Sequence, residues 1–140
     1  MSQREGPFWD AVAGRTPLPP ASQLLGCKLL EVDPERATIK VEFQARPEFV
    51  NSVGVIQGGF LAAMLDETLG PALIATLGRE EFAPTVELKA NFIRSVGVGP
   101  LVGEGRVVHK GKTLAFLQGE LRTIDGQLVA TATAHIQTRK

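Results

Sequence analysis

The sequence has little of the chemistry that marks several large classes of protein. Its only cysteine, Cys27, cannot form an internal disulfide, and its apolar neighbours favour a structural role. Lysines and arginines balance the acids at 15 each, so no overall charge attracts nucleic acid or an anionic membrane. No uncharged apolar run approaches the roughly 20 residues of a transmembrane helix. We therefore expect a soluble protein of a reducing compartment, with neither nucleic acid nor a membrane as its partner.

The motifs of common nucleophile and cofactor sites are missing as well. There is no G-x-S-x-G, no P-loop and no G-x-G-x-x-G, which argues against a serine hydrolase, an NTPase and a dinucleotide enzyme. His109 and His135 lack the spacing of metal ligands, so we expect solvated or paired histidines, no metal and no prosthetic group. The first 20 residues have neither a basic head before an apolar run nor a cleavage site. This pattern predicts no secretory signal and a cytoplasmic location.

The length of 140 residues and the 44% hydrophobic content are typical of one compact domain. Residues 1–19 are predicted to form an N-terminal arm, with a short amphipathic turn around Trp9 followed by a stiff, proline-rich connector. Residues 20–140 are predicted to form the domain, which begins with a short helix in PASQLLG that Gly26 ends.

Six runs of the domain have strand-like composition. They are CKLLEVD, ATIKVEF, APTVELKANFI, LVGEGRVVH, KTLAFLQGELRT and QLVATATAHIQT. The first two are predicted to form a hairpin across DPER. Short turn-like segments separate the last four, so we expect each of these to pair antiparallel with the next.

One long helix is predicted between the second and third strands, beginning near Gln57. Its bulky apolar residues cover most of the circumference, which predicts a helix buried on the concave side of a single curved sheet. Pro71 within it removes a backbone hydrogen bond and is expected to bend it.

Two adjacent acids, Asp66 and Glu67, interrupt this apolar helix. The helical neighbours of Asp66 are mostly small and leave room beside its carboxylate; they are Gly59, Ala62, Ala63, Gly70 and Leu73. Asp66 is either a functional acid or a structural one bonded to a neighbouring chain. Glu67 is interpreted as structural and is expected to reach solvent at the rim of the helix.

The helix begins with a pair of glycines, Gly58 and Gly59. The first amides of a helix have no intrahelical acceptor and lie at the positive end of its dipole, so these glycines could let an acyl carbonyl approach a one-amide oxyanion hole. The alternative is that they only permit close packing.

Distance links the two features. Gly58 and Asp66 are eight residues apart, or about 12 Å along a helix axis, whereas reacting groups must lie within about 3 to 3.5 Å of each other. If both act on one carbonyl, Asp66 must come from a second subunit whose helix runs antiparallel to the first. We therefore hypothesise an isologous dimer with two composite sites.

Together these residues resemble a known family. The pattern consists of Asn51, six further residues, Gly58-Gly59 and Asp66, together with GKTLAF at 111–116. It resembles the hotdog-fold acyl-CoA thioesterases of the phenylacetate-degradation (PaaI-like) group. The likeness covers about residues 20 to 138. It implies an α+β hotdog fold, in which a six-stranded antiparallel sheet wraps round one long central helix and two sheets join edge to edge in a dimer.

The resemblance also implies roles for individual residues. Asp66 would be the nucleophile or general base, the Gly58 amide would polarise the thioester carbonyl, and Asn51 would orient the carbonyl or the attacking water. Thr85 falls where related enzymes place a hydroxyl near the acid, although threonine is also simply a good strand residue. Gln57 replaces the usual histidine; its amide can bond a carbonyl but cannot shuttle protons.

We therefore predict hydrolysis of acyl-coenzyme A thioesters, without a cofactor, by a dimer or tetramer. The residues expected to bind substrate are Gly59, Phe60, Ala63 and Met64 for the acyl group, and Arg94, Lys110 and Lys112 for the phosphates of coenzyme A. These three cations are alternatively solvated turn charges. A non-catalytic acyl-CoA binding or sensing module is the main alternative. A hotdog dehydratase ranks last, because neither histidine lies near the helix start.

Overall fold

The computed structural model describes residues 5–139 of the chain. Its elements, in chain order, are α1 (Pro7–Val12), α2 (Pro20–Leu24), β1 (Lys28–Asp33), β2 (Thr38–Ala45), the 3-10 helix η1 (Pro47–Phe49), α3 (Gly58–Ile74), β3 (Thr85–Phe92), β4 (Gly99–Lys110), β5 (Leu114–Thr123) and β6 (Leu128–Gln137). The expected α+β architecture, six antiparallel strands with one long helix, is confirmed. No helix among these residues is long and apolar enough to span a bilayer.

The order of strands across the sheet is β1-β2-β4-β5-β6-β3. The hairpins β1–β2, β4–β5 and β5–β6 are confirmed, but the expected pairing of β3 with β4 is wrong. Because α3 crosses the sheet, β3 begins far from β2 and pairs with β6 at the edge, while β4 pairs with β2. The segment between β3 and β4 passes the start of α3, where the Ile56 amide donates to the Val96 carbonyl at 2.9 Å.

Glycines in the central strands allow α3 to lie close to the sheet. A Cβ at Gly103 would overlap Oγ1 of Thr68, and a Cβ at Gly105 or Gly119 would come within 2.7 or 2.9 Å of Cδ2 of Leu69. The side chains of α3 that meet the sheet are fully or almost fully buried; they are Leu61, Met64, Leu65, Thr68, Leu69, Ala72 and Leu73. The core therefore lies between one face of α3 and the sheet.

Residues 5–139 leave the opposite face of α3 uncovered, so the prediction of a helix buried nearly all round is wrong for a single chain. Gly59 and Asp66 are exposed, and Ala62, Ala63 and Gly70 are half-buried. The reason is that one sheet covers only one side of a helix. We call these five residues the open stripe.

The N-terminal elements pack on the domain. Trp9 of α1 is buried, at 7% exposure, and Gly26 ends α2 with a left-handed φ of 63°. Residues 1–4 of the predicted arm lie outside the described residues, and the boundary at residue 20 stays a prediction. The helix α3 continues past Pro71 to Ile74; the bend expected at Pro71 also stays a prediction.

Replacing Gly103 by alanine tests the close approach of helix and sheet. The added methyl group would overlap Thr68, a fully buried β-branched residue whose Oγ1 already donates to the Met64 carbonyl at 2.8 Å. We expect a loss of about 1 to 3 kcal/mol in the free energy of unfolding, measured by urea denaturation.

The matched control is Gly97→Ala, since a Cβ there meets nothing within 4 Å. Shortening Thr68 to alanine should reduce the cost of Gly103→Ala in the double variant. Equal stability of the Gly103→Ala variant and the wild-type protein would contradict the packing described above.

Candidate active site

Asp66 lies exposed in the open stripe and is held by a hydroxyl group from the neighbouring edge strand. Thr85 Oγ1 donates a hydrogen bond to Asp66 Oδ1 at 2.8 Å. Thr85 is the first residue of β3. This contact brings together two of the residues that the resemblance singled out, 19 positions apart in sequence. Within the described residues no hydrogen bond engages Asp66 Oδ2, so this oxygen is available for chemistry.

The strand β3 runs alongside α3 in the opposite direction. At its first residue Thr85 contacts Asp66, and at its last residue the ring of Phe92 lies 3.1 Å from the position that a Cβ on Gly58 would occupy. Close packing thus explains a glycine at position 58. It does not explain Gly59, at which a Cβ would meet nothing within 4 Å.

The start of α3 presents free backbone donors. The Gln57 carbonyl accepts the amides of Phe60 and Leu61 at 3.0 and 3.4 Å, and the Gln57 amide donates to the Phe49 carbonyl at 2.8 Å. The amides of Gly58 and Gly59 have no acceptor within residues 5–139. The Gln57 side chain is exposed and does not cap the helix. Such a helix start can bind a carbonyl oxygen or a developing negative charge.

Asn51 shapes the loop before the helix. Its Oδ1 accepts the amides of Val53 and Val55 at 3.0 and 3.2 Å, and its backbone amide donates to the Val55 carbonyl at 2.8 Å. The oxygen of the side chain is therefore occupied by the loop itself. Only Nδ2, which has no partner in the described part of the chain, remains to orient a carbonyl or a water.

Phe60, Ala63 and Met64, the residues expected along the acyl group, do not share one face. The ring of Phe60 stacks on that of Phe49 with centroids 4.2 Å apart. Ala63 is half-buried in the open stripe. Met64 is 0% exposed and belongs to the core, because its position on α3 faces the sheet. It therefore does not line the open stripe.

The three cations proposed for coenzyme A are not grouped together. Arg94 is exposed in the segment that passes the helix start. Lys110 lies at the opposite end of α3, where its Nζ donates to the carbonyl and to Oγ1 of Thr76 at 3.4 and 3.3 Å. Lys112 is exposed in the turn after β4. Of the three, only Arg94 lies at the same end of α3 as Gly58.

A buried contact beside the acid was missed by the sequence analysis. Ser22 of α2, 2% exposed, donates through Oγ to Glu67 Oε2 at 2.5 Å. Glu67 is half-buried, so the expectation that it reaches solvent is wrong. Burial raises the pKa of Glu67, the hydrogen bond from Ser22 lowers it, and the neighbouring Asp66 raises it again. Burial, with the charge of Glu67, also raises the pKa of the Cys27 thiol to about 12. Nothing in the sequence signals a partner 45 positions away.

The histidines lie apart from this site. Nδ1 of His135 lies 3.2 Å from Oε1 of Glu87, its cross-strand neighbour on β3, and His109 is exposed on β4. Between residues 5 and 139 no group of three or more His, Cys, Asp or Glu could hold a metal ion.

A surface depression formed by the strands also lies elsewhere. It has a volume of about 500 Å³ and is lined by polar residues of the strands, among them Glu104, Arg106 and Thr131. These side chains lie on the face of the sheet opposite α3, because alternate residues of the same strands form the core beneath the helix. The sheet therefore separates this depression from Asp66.

The raised pKa of Glu67 predicts a pH dependence of stability. The folded state holds this proton more tightly than the unfolded state, whose pKa is near the ordinary value of 4.5, so stability falls as the pH rises from there through the folded pKa. Glu67→Gln cannot ionise but keeps a carbonyl oxygen for Ser22. The difference in melting temperature between this variant and wild type should therefore increase in favour of the variant as the pH rises above about 4.5. The control is Glu35→Gln, which changes an exposed acid in a turn and should give a plot of melting temperature against pH parallel to that of wild type. A parallel plot for Glu67→Gln would contradict this assignment.

Comparison with known proteins identifies the fold and the family. The family model described as the thioesterase superfamily matches residues 53–130. A crystal structure from Ralstonia eutropha JMP134, of a candidate thioesterase described as a phenylacetic acid degradation-related protein, is similar at 35% identity, with a TM-score of 0.89 and coverage of 93% of this chain and 98% of that one. A candidate esterase of Saccharolobus solfataricus is 32% identical over 79% of this chain and 76% of its own length.

A thioesterase of Haemophilus influenzae has a TM-score of 0.78 at 18% identity over 86% of this chain and 82% of that one. At that identity the likeness shows the fold alone. The expected hotdog fold and the likeness to thioesterases of the phenylacetate-degradation group are confirmed. The chain belongs to the thioesterase superfamily.

Proposed function

We propose that the protein hydrolyses acyl-coenzyme A thioesters to a free acid and coenzyme A, at a site shared between two subunits. Membership of the thioesterase superfamily supports thioester hydrolysis in general. The observation that carries the finer proposal is the exposed Asp66 carboxylate, held by Thr85 in a stripe of small residues on the uncovered face of α3. A carboxylate placed with free space beside it can reach a substrate.

Asp66 supplies the reactive oxygen. As a nucleophile, Oδ2 would bond to the thioester carbon while the carbon–sulfur bond breaks; the thiolate then takes a proton from solvent, and water cleaves the resulting anhydride. As a general base, Asp66 would instead accept a proton from the water that attacks the carbon, and the carbon–sulfur bond would then break to release the thiolate, which takes up a proton. In both routes the hydrogen bond from Thr85 fixes the orientation of the carboxylate.

The start of α3 stabilises the charge that develops on the carbonyl oxygen. The free amide of Gly58 would donate to this oxygen, with the positive end of the helix dipole behind it. A donor of this kind is worth roughly 2.7 to 4 kcal/mol in a preorganised site. Gln57 and the Nδ2 of Asn51 can add hydrogen bonds from the same end of the helix, whereas neither can transfer a proton near neutral pH.

The two halves of this chemistry must come from different chains. Gly58 and Asp66 belong to the same continuous helix, so about 12 Å of helix axis separates them. The outer edge of β3 offers a place for a second chain, because β3 pairs only with β6 within residues 5–139. Three large apolar residues at or beside this strand, Val86, Phe92 and Ile93, are 62, 53 and 58% exposed. An exposed apolar edge of this kind is suited to pairing with a partner strand.

A twofold axis at the middle of β3 would complete the site. Antiparallel pairing of two β3 strands about that axis sets Thr85 opposite the partner's Phe92. Since Thr85 lies at the level of Asp66, and Phe92 at the level of Gly58, each Asp66 comes level with the partner's Gly58. The open stripe of each α3 then faces the gap between the helices, where the acyl group would lie against Gly59, Ala63 and Phe60.

Coenzyme A would enter from the end of α3 that carries its first amides. Arg94 is the exposed cation there and is proposed to pair with the phosphates of coenzyme A. Lys110 and Lys112 lie at the far end of their own α3, so a contact with the same coenzyme would depend on the partner chain.

Replacing Asp66 by asparagine tests the catalytic assignment. The amide has almost the same shape but can neither attack the thioester nor accept a proton, so we expect kcat to fall at least about 100-fold. The measurement is release of free thiol from a panel of acyl-coenzyme A substrates. Asp125→Asn, which changes an exposed turn acid after β5, is the matched control.

Undiminished turnover by the Asp66→Asn variant would reject the catalytic assignment. Tight binding of acyl-coenzyme A by the wild-type protein with no thiol release would favour the binding or sensing module instead.

A further inference from the structure

Two consecutive acids on α3 accept hydrogen bonds from different sides of the helix. Asp66 accepts from Thr85 of β3, and Glu67 accepts from Ser22 of α2. Because successive helical residues differ by about 100° in direction, the two hydroxyl groups approach from different sides of the helix. The open stripe therefore runs between the strand β3 on one side and the short helix α2 on the other.

Three polar contacts hold α2 and the residue after it in place. Besides the contact from Ser22 to Glu67, Arg46 Nη2 donates to the Gln23 carbonyl at 2.9 Å, and the Gln44 amide donates to the Leu25 carbonyl at 2.9 Å. The Arg46 contact has a cost, because Nε of the same guanidinium is buried without a partner in the described part of the chain. A helix of five residues has little stability of its own, so its position depends on these contacts.

The contact with Ser22 differs from the other two in its location. The contacts of Gln23 and Leu25 are with the end of β2 and the residue after it, far along the sheet from β3. The contact of Ser22 is with Glu67, the residue next to the proposed catalytic acid. Losing it would remove the contact that holds α2 beside the open stripe, and would leave the hydrogen bond between Thr85 and Asp66 in place.

We propose that α2, held by the hydrogen bond from Ser22 to Glu67, forms the second wall of the substrate groove, so that Ser22 and Glu67 are positioning residues that decide which acyl groups fit. The inference rests on the proposed acyl-coenzyme A hydrolysis at Asp66. The occupant is the acyl chain of the thioester, because it is bonded to the carbonyl carbon at which Asp66 acts.

The test compares Ser22→Ala with wild type over acyl-coenzyme A substrates of increasing chain length, with one aromatic acyl group. We expect the ratio of kcat/KM between short and long substrates to change at least about fivefold, through KM, because removing a wall alters the fit of each methylene. The kcat of the best substrate should stay within about threefold, since Asp66 and Thr85 are unchanged. The single variant Glu67→Gln, in which Ser22 is unchanged, keeps an acceptor for the Ser22 hydroxyl and should leave the ratio near its wild-type value.

Asp10→Asn is the matched control, since it removes only an exposed ion pair with Arg15 in the arm. If Ser22→Ala lowered kcat/KM by one common factor for all substrates, or changed none of them, α2 would not be a wall of the site.

A second measurement does not depend on turnover or on the variants folding. Amide hydrogen exchange of residues 20–26 of the wild-type protein is compared with and without a long-chain thioether analogue of acyl-coenzyme A, which cannot be hydrolysed. The inference predicts slower exchange when the analogue is bound, and unchanged exchange would overturn it. Protection without any thioester hydrolysis would reject the proposed function but support α2 as a wall of the groove. Hydrolysis without protection would support the proposed function but reject α2 as a wall.

Discussion

The structure depends on the packing of one helix against one face of a sheet. Gly103, Gly105 and Gly119 bring β4 and β5 so close to α3 that Thr68 and Leu69 fill the space a Cβ would need. Because the sheet lies on one side only, residues 5–139 leave the other side of the helix uncovered, and Asp66 is exposed there. The same packing sets β3 beside α3, from which Thr85 reaches Asp66. The core and the proposed site thus use opposite faces of the same 17-residue helix.

The rigidity of this helix constrains how the proposed site would be completed. A continuous helix holds Gly58 and Asp66 about 12 Å apart along its axis, and no change of side-chain rotamer closes such a gap. The edge strand β3 is exposed, apolar and aligned with both residues, so the proposed twofold axis at β3 would bring them together without any change in the chain. The N-terminal segment adds a third element through Ser22, which ties α2 to the neighbour of the acid.

Local patterns in the sequence were enough to predict the long helix and the strands, the hairpins and the small residues around Asp66, because these features depend on neighbours in the chain. The partner of β3 was mispredicted, since the crossing of α3 over the sheet is a long-range property. Glu67 was expected in solvent because helical periodicity gives a direction but not what lies there, and Ser22 lies 45 positions away. Met64 was expected at the acyl group for a related reason: its place in the core depends on which face of α3 the sheet covers.

Complementation between two inactive chains tests the shared site most directly. Gly58→Pro removes the amide hydrogen at the first helical position, where proline is tolerated, and the residue before it, Gln57, has the extended backbone that a following proline requires. The control is Gly58→Ala, which also places a Cβ beside Phe92 but keeps the amide hydrogen, and it should stay active. Asp66→Asn and Gly58→Pro chains should each be inactive alone. After subunit exchange at equal amounts, about half the dimers are mixed with one intact site each, so about a quarter of wild-type thiol release should return. No recovery in mixed dimers isolated through two different tags would contradict a site shared between subunits.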